Sequence, residues 1–184
     1  ETELEWGMQE AKVFLLCHPH NPGGRVWRRE ELERIADLAI KYNTIVLSDE
    51  IHADLTYKEF VHIPFPSVSE VASKIGISLM APSKAFNMPG VVGSHLYIKD
   101  KSLRDAVYSY IDNNGLGIGD CFTYDAIAAA YKQGAEWLDE CTEYIQGNVA
   151  YVQDYLARHI PKIKMIVPEA SFLIFLDCRG LGLS

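Results

Sequence analysis

Lys84, Asp49, Asn21 and Ser83 are the residues of this sequence whose types could act together on one small molecule. Each closes or follows a short apolar run: Asn21 comes after Val13-Phe14-Leu15-Leu16-Cys17, Asp49 after Ile45-Val46-Leu47-Ser48, and Ser83-Lys84 after Ile77-Ser78-Leu79-Met80-Ala81. An amine, a carboxylate, an amide and a hydroxyl in one cleft make up the set that a pyridoxal phosphate site needs. The lysine forms a Schiff base, the acid faces the pyridinium nitrogen, and the others donate to the ring oxygen and the phosphate. Taken singly, each has a plainer reading. Asn21 before Pro22-Gly23-Gly24 suits a turn, Asp49 a helix cap, Ser83-Lys84 a solvated loop, and His52 a packed or exposed histidine. Their shared position after apolar runs is what joins them.

The elements that must position these residues follow from periodicity. Val13 to Cys17 reads as a buried strand and His18 to Gly24 as a turn-rich loop. The segment from about Arg28 to Tyr42 reads as an amphipathic helix with Leu32, Ile35, Ala36, Leu38 and Ala39 on one face and acidic residues near its start. Ile45 to Leu47 completes a β-α-β unit, which predicts parallel strands and a right-handed crossover. Ile77 to Ala81 and Val91 to Ile98 supply further strands; helices are expected over about 102–113, 121–132 and 135–159, the last ended by Pro161. Lys164 to Val167 and Ser171 to Asp177 read as two strands around Pro168-Glu169. In a parallel α/β sheet ligands bind beyond the carboxyl ends of the strands, where the residues named above would meet.

Composition narrows the partners. The 184 residues carry 17 Lys+Arg against 25 Asp+Glu, a formal charge of −8, with 48% hydrophobic residues. That balance fits a globular chain and argues against nucleic acid or an anionic membrane as partner. The apolar runs fall far short of the roughly 20 residues of a spanning helix. The N-terminus has neither the basic start nor the apolar stretch of a signal peptide, and it lacks Met, which suits a processed or excised start. Cys17, Cys121, Cys141 and Cys178 form no C-x-x-C pair, so they are expected reduced and mostly packed in a cytoplasmic protein, with no metal site. Gly115-Leu116-Gly117-Ile118-Gly119 does not match G-x-G-x-x-G and follows no strand, so it reads as an interhelical loop and argues against a plain dinucleotide-binding domain.

Three motifs then occur in order: His18-Pro19-His20-Asn21-Pro22-Gly23-Gly24-Arg25-Val26-Trp27, Ser48-Asp49-Glu50-Ile51-His52-Ala53-Asp54-Leu55, and Ala81-Pro82-Ser83-Lys84-Ala85-Phe86-Asn87. With them the chain resembles the PLP-dependent enzymes of the class I/II aminotransferase fold. Within these it is most similar to the cystathionine β-lyase branch, the C–S lyases of the MalY/PatB type, which also carry stretches like His62 to Phe65 and Pro168 to Leu173. The resemblance implies an α/β architecture of fold type I: a partial three-layer α/β/α large domain over 1–134, a linking helix over 135–160, and the start of a small α+β domain over 161–184.

The resemblance also implies roles. Lys84 matches the lysine that holds the cofactor and then acts as general base, Asp49 the carboxylate on the pyridine nitrogen, Asn21 the amide on the ring 3′-oxygen, and Ser83 a phosphate-binding hydroxyl. His52 falls where aminotransferases commonly have a tyrosine near that same oxygen. Where many of them carry a phosphate-binding arginine, eight residues past the lysine, this chain has Val92. The implied parent is a homodimeric, cytoplasmic PLP-dependent C–S β-lyase. It cleaves cystathionine or a cysteine S-conjugate to a thiol, pyruvate and ammonia, and this chain is an inactive fragment of it. The resemblance implies that the ring-stacking aromatic and the substrate-carboxylate arginine lie outside the chain. Alternatives are an aminotransferase that passes the amino group to a 2-oxo acid, and a regulatory binding module on the same fold.

Overall fold

The computed structural model describes residues 2–117 and 119–182, so Glu1, Ile118 of the glycine run and the last two residues of the segment 161–184 lie outside the described residues. Val13–Cys17 (β1), Ile45–Asp49 (β2) and Gly76–Met80 (β3) pair in parallel in that order, and His95–Ile98 (β4) joins β3 antiparallel. Cys17 pairs with Asp49 and Asp49 with Leu79, so the three parallel strands end level with one another.

Side chains alternate across the sheet. On one face Leu16 and Val46 pack against Leu32, Ile35, Ala36 and Ala39 of the helix Arg29–Lys41, which is the apolar stripe read from the sequence. That helix starts where the Glu31 carboxylate accepts the Arg28 N–H at 2.9 Å. The other face carries Leu15 (66% exposed), Cys17 and Asp49. With α1 as Thr2–Glu10 and α2 as Arg29–Lys41, the later helices are α3 (Glu70–Ile75), α4 (Pro82–Ala85), α5 (Lys101–Asn113), α6 (Thr123–Gln133) and α7 (Ala135–His159). A separate antiparallel pair, Lys164–Ile166 (β5) and Phe175–Asp177 (β6), follows α7.

Several expectations are corrected. Helix α1 was not anticipated, because only Leu4 and Met8 turn inward while Trp6 is 71% exposed. Helix α3 is started by the Ser69 hydroxyl, which accepts the Ala72 N–H at 3.1 Å; six residues are too few to show a helical period. The strand expected from Val91 begins only at His95. Met80 pairs with His95 and β3 ends there, so residues 91–94 lie beyond the ladder, and Val91 and Val92 bond instead to Met88 and Thr123. The strand expected from Ser171 begins at Phe175, because residues 168–171 bond to loops of the four-stranded sheet instead. Two cysteines expected to be packed, Cys121 and Cys178, are exposed in loops. Among the described residues no helix is long and apolar enough to cross a membrane.

Candidate functional site

Beyond the level strand ends the ladder continues: the His18 N–H donates to the Asp49 carbonyl and the Glu50 N–H to the Leu79 carbonyl, both at 2.9 Å. The chain after β1 therefore leaves beside the chain after β2. It folds into a tight loop in which the Gly24 N–H meets the His20 carbonyl at 2.7 Å and the Asn21 N–H meets Cys17 Sγ at 3.2 Å. Gly24 holds φ +67°, and a Cβ there would sit 2.4 Å from Pro168 Cβ, so the loop needs glycine at this point. Asn21 is exposed on the loop, and among the described residues its side-chain amide makes no hydrogen bond.

Asp49 stands at the end of β2, with Oδ1 accepting the Ile51 N–H at 3.2 Å. Among the described residues its other oxygen has no donor. Lys84 projects from α4, is exposed, and its amine forms no ion pair or hydrogen bond among the described residues. It lines a hollow of about 240 Å³ with Leu55, Asn87, Trp137 and Phe172. His52 is 2% exposed, its Nδ1 is buried without a partner among the described residues, and its ring meets Phe172 edge-on at 5.6 Å. Burial lowers its pKa; the Asp49 carboxylate opposes that shift and the Lys84 ammonium adds to it, so both charges bear on this imidazole.

Asn21, Asp49, His52 and Lys84 thus gather at the level strand ends, and Ser83 precedes Lys84 in α4. It lines a second hollow of about 540 Å³ with Val92, Gly93, Gly119 and Thr123. Three participants escaped the sequence reading. Phe172 meets His52 from 120 positions away, and only its place in the stretch Pro168 to Leu173 could have drawn notice to it. Cys17, its pKa raised by burial, bonds the Asn21 loop. Glu50 lies buried directly behind Asp49, and only its place in the second motif could have drawn notice to it.

Strand ends that bring together an amine and a half-free carboxylate, both without further partners among the described residues, and a buried imidazole suit a small polar ligand. The family model described as aminotransferase class I and II matches residues 2–182, and the chain belongs to that family of fold-type I, pyridoxal-phosphate-dependent proteins. Among its relatives are cystathionine beta-lyase PatB of Bacillus subtilis (strain 168), 41% identical over 99% of this chain and 48% of that protein, and protein MalY of Escherichia coli (strain K12), 38% identical over 95% and 44%. The crystal structure of cystalysin from Treponema denticola, which contains a pyridoxal 5′-phosphate cofactor, superposes with a TM-score of 0.94 at 34% identity, covering 99% of this chain and 47% of that one. The chain therefore spans about half the length of the relatives it matches.

The residues present fit that cofactor. An orphaned buried Nδ1 on His52, an unpaired amine on Lys84 and an open oxygen on Asp49 are groups that a bound polar ring would satisfy.

Proposed function

We propose that this chain carries the lysine-bearing half of the active site of a PLP-dependent C–S β-lyase, with Asn21, Asp49, His52, Ser83 and Lys84 holding the cofactor. The observation that carries the reading is the level ending of β1, β2 and β3, which draws the Asn21 loop, Asp49 and the Lys84 turn to one crevice. When bound, pyridoxal phosphate supplies an electron sink for the pair left at the substrate Cα. Asp49 is an acid at the end of β2 with one oxygen free among the described residues, and its negative charge favours a proton on the ring nitrogen. Asn21 and His52 offer donors to the ring 3′-oxygen, and Ser83 offers its hydroxyl to the phosphate. Lys84, unpaired and exposed, takes the proton from Cα as general base. The Cβ–S bond then breaks with its electrons on sulfur. Overall, a cysteine S-conjugate and one water give a thiol, pyruvate and ammonium.

The same reading makes residues 1–134 the later part of the large domain, 135–160 a linking helix and 161–184 the start of a small domain, which the separate β5-β6 pair supports. It also makes the whole protein a cytoplasmic homodimer acting on cystathionine or a cysteine S-conjugate. Borohydride reduction after loading with pyridoxal phosphate, followed by peptide mapping, tests the site: one adduct is expected on Lys84 and none there in Lys84→Ala. Adducts scattered over many lysines and unchanged by the substitution would overturn it. Thiol, pyruvate and ammonia released without an added amino acceptor are expected of the whole enzyme. A strict requirement for a 2-oxo acid would make it an aminotransferase instead.

A further inference from the structure

Glu50 is a carboxylate that the reaction does not use, yet it is 1% exposed. An unpaired buried charge is strongly destabilising, so its donors matter. They come from two separate stretches of chain, the segment 62–65 and β3. Oε1 accepts the Phe65 N–H at 2.9 Å and the Ser78 hydroxyl at 2.8 Å, and Oε2 accepts from His62 Nε2 at 3.1 Å. Its main chain is also pinned, N–H to Leu79 and carbonyl to the Ala53 N–H, both at 2.9 Å. The segment that supplies His62 and Phe65 is clipped from a second side. His18 stacks on His62 with ring centroids 4.3 Å apart, and its Nε2 donates to the Ile63 carbonyl at 3.0 Å. Burial would raise the Glu50 pKa, but the His62 and Phe65 hydrogen bonds and the His62 charge outweigh it and keep the group ionised.

Consecutive residues of a strand point to opposite faces. Whatever fastens Glu50 under the sheet therefore turns Asp49 toward the opposite face, and the fastening is charge-assisted on three counts. We propose that Glu50 is a positioning residue for Asp49: clamped by Phe65, Ser78 and His62, it fixes the end of β2 so that the Asp49 carboxylate faces the cofactor crevice. This rests on the reading that Asp49 meets the ring nitrogen of pyridoxal phosphate.

The test uses the protein loaded with pyridoxal phosphate and reads two quantities: the cofactor dissociation constant and the pH midpoint of the bound cofactor's visible absorption. Glu50→Ala is expected to weaken cofactor binding by roughly tenfold or more and to displace the midpoint, as loss of an outer orienting partner does. Glu50→Gln, which keeps acceptors for Phe65 and Ser78, should stay within about twofold of wild type in binding. If Glu50→Ala does not fold, His62→Ala and Ser78→Ala each remove one donor and should displace the midpoint in the same direction by less. Variants that lower the melting temperature while leaving both quantities at wild-type values would reduce Glu50 to a packing role and overturn the proposal. Asp49→Asn separates the two levels. If it moves both quantities and the Glu50 and His62 variants move neither, only the positioning role fails; if it moves neither, the site reading fails and the proposal with it.

Discussion

His18 is fully buried beside a second histidine, and burial, reinforced by His62, pushes its pKa from 6.5 down to about 4. A histidine whose folded pKa is depressed contributes in full above its unfolded value. Its contribution is lost as pH falls, because the unfolded chain takes up a proton that the folded one refuses. The window runs from 6.5 down to about 4, and across it His18 should withdraw about 3 kcal/mol of stability. His18→Gln, whose amide can still reach the Ile63 carbonyl, is expected to make the acid limb of a urea-unfolding series shallower by about one proton. An unchanged limb would mean that His18 is already protonated in the folded state. Neither this burial nor that of Glu50 was legible in the sequence. A histidine in a Pro-rich loop and a glutamate after an aspartate both look like surface residues until the segment 62–65 closes over them.

At the scale of elements, β1, α2 and β2 were legible because a 3.6-residue stripe between two apolar runs admits few packings other than a crossover over one sheet face. The Asn21 loop was legible as a turn, but not as the floor on which residues 168–170 rest. The Gly24 carbonyl accepts the N–H groups of both Glu169 and Ala170, at 2.8 and 3.0 Å. Gly24→Ala would drive a methyl into Pro168 at a backbone that already holds a positive φ. The expected cost is about 1–3 kcal/mol in thermal denaturation, with faster proteolysis between residues 160 and 174. Loss of stability without that local opening would place the strain within the loop alone.

Across the whole molecule, contacts distant in sequence tie the chain after α7 to the loops that follow β1 and β2. Glu169 binds the Val26 N–H at 2.9 Å and the Arg28 guanidinium at 2.5 Å, the Ser171 N–H meets the Leu55 carbonyl at 3.0 Å, and Phe172 reaches His52. Tyr57, with a pKa pushed up to about 12 by burial, donates its hydroxyl to the Ser171 carbonyl at 2.9 Å. Tyr57→Phe leaves that buried carbonyl unsatisfied and should cost about 1–3 kcal/mol. Amide exchange should quicken at Ser171 while the amides of β1 to β3 keep their protection; uniform quickening would show instead that the hydroxyl supports the fold as a whole. The sequence by itself determined the order strand, loop, helix, strand and the residues at the strand ends, because periodicity and turn chemistry act over a few neighbouring residues. Only the tertiary structure decided that β4 starts at His95, that residues 168–171 leave the β5-β6 pair, and that Glu50 and His18 are buried. Each depends on which partner lies alongside, and partners as far apart as Arg28 and Glu169 leave no local pattern to read.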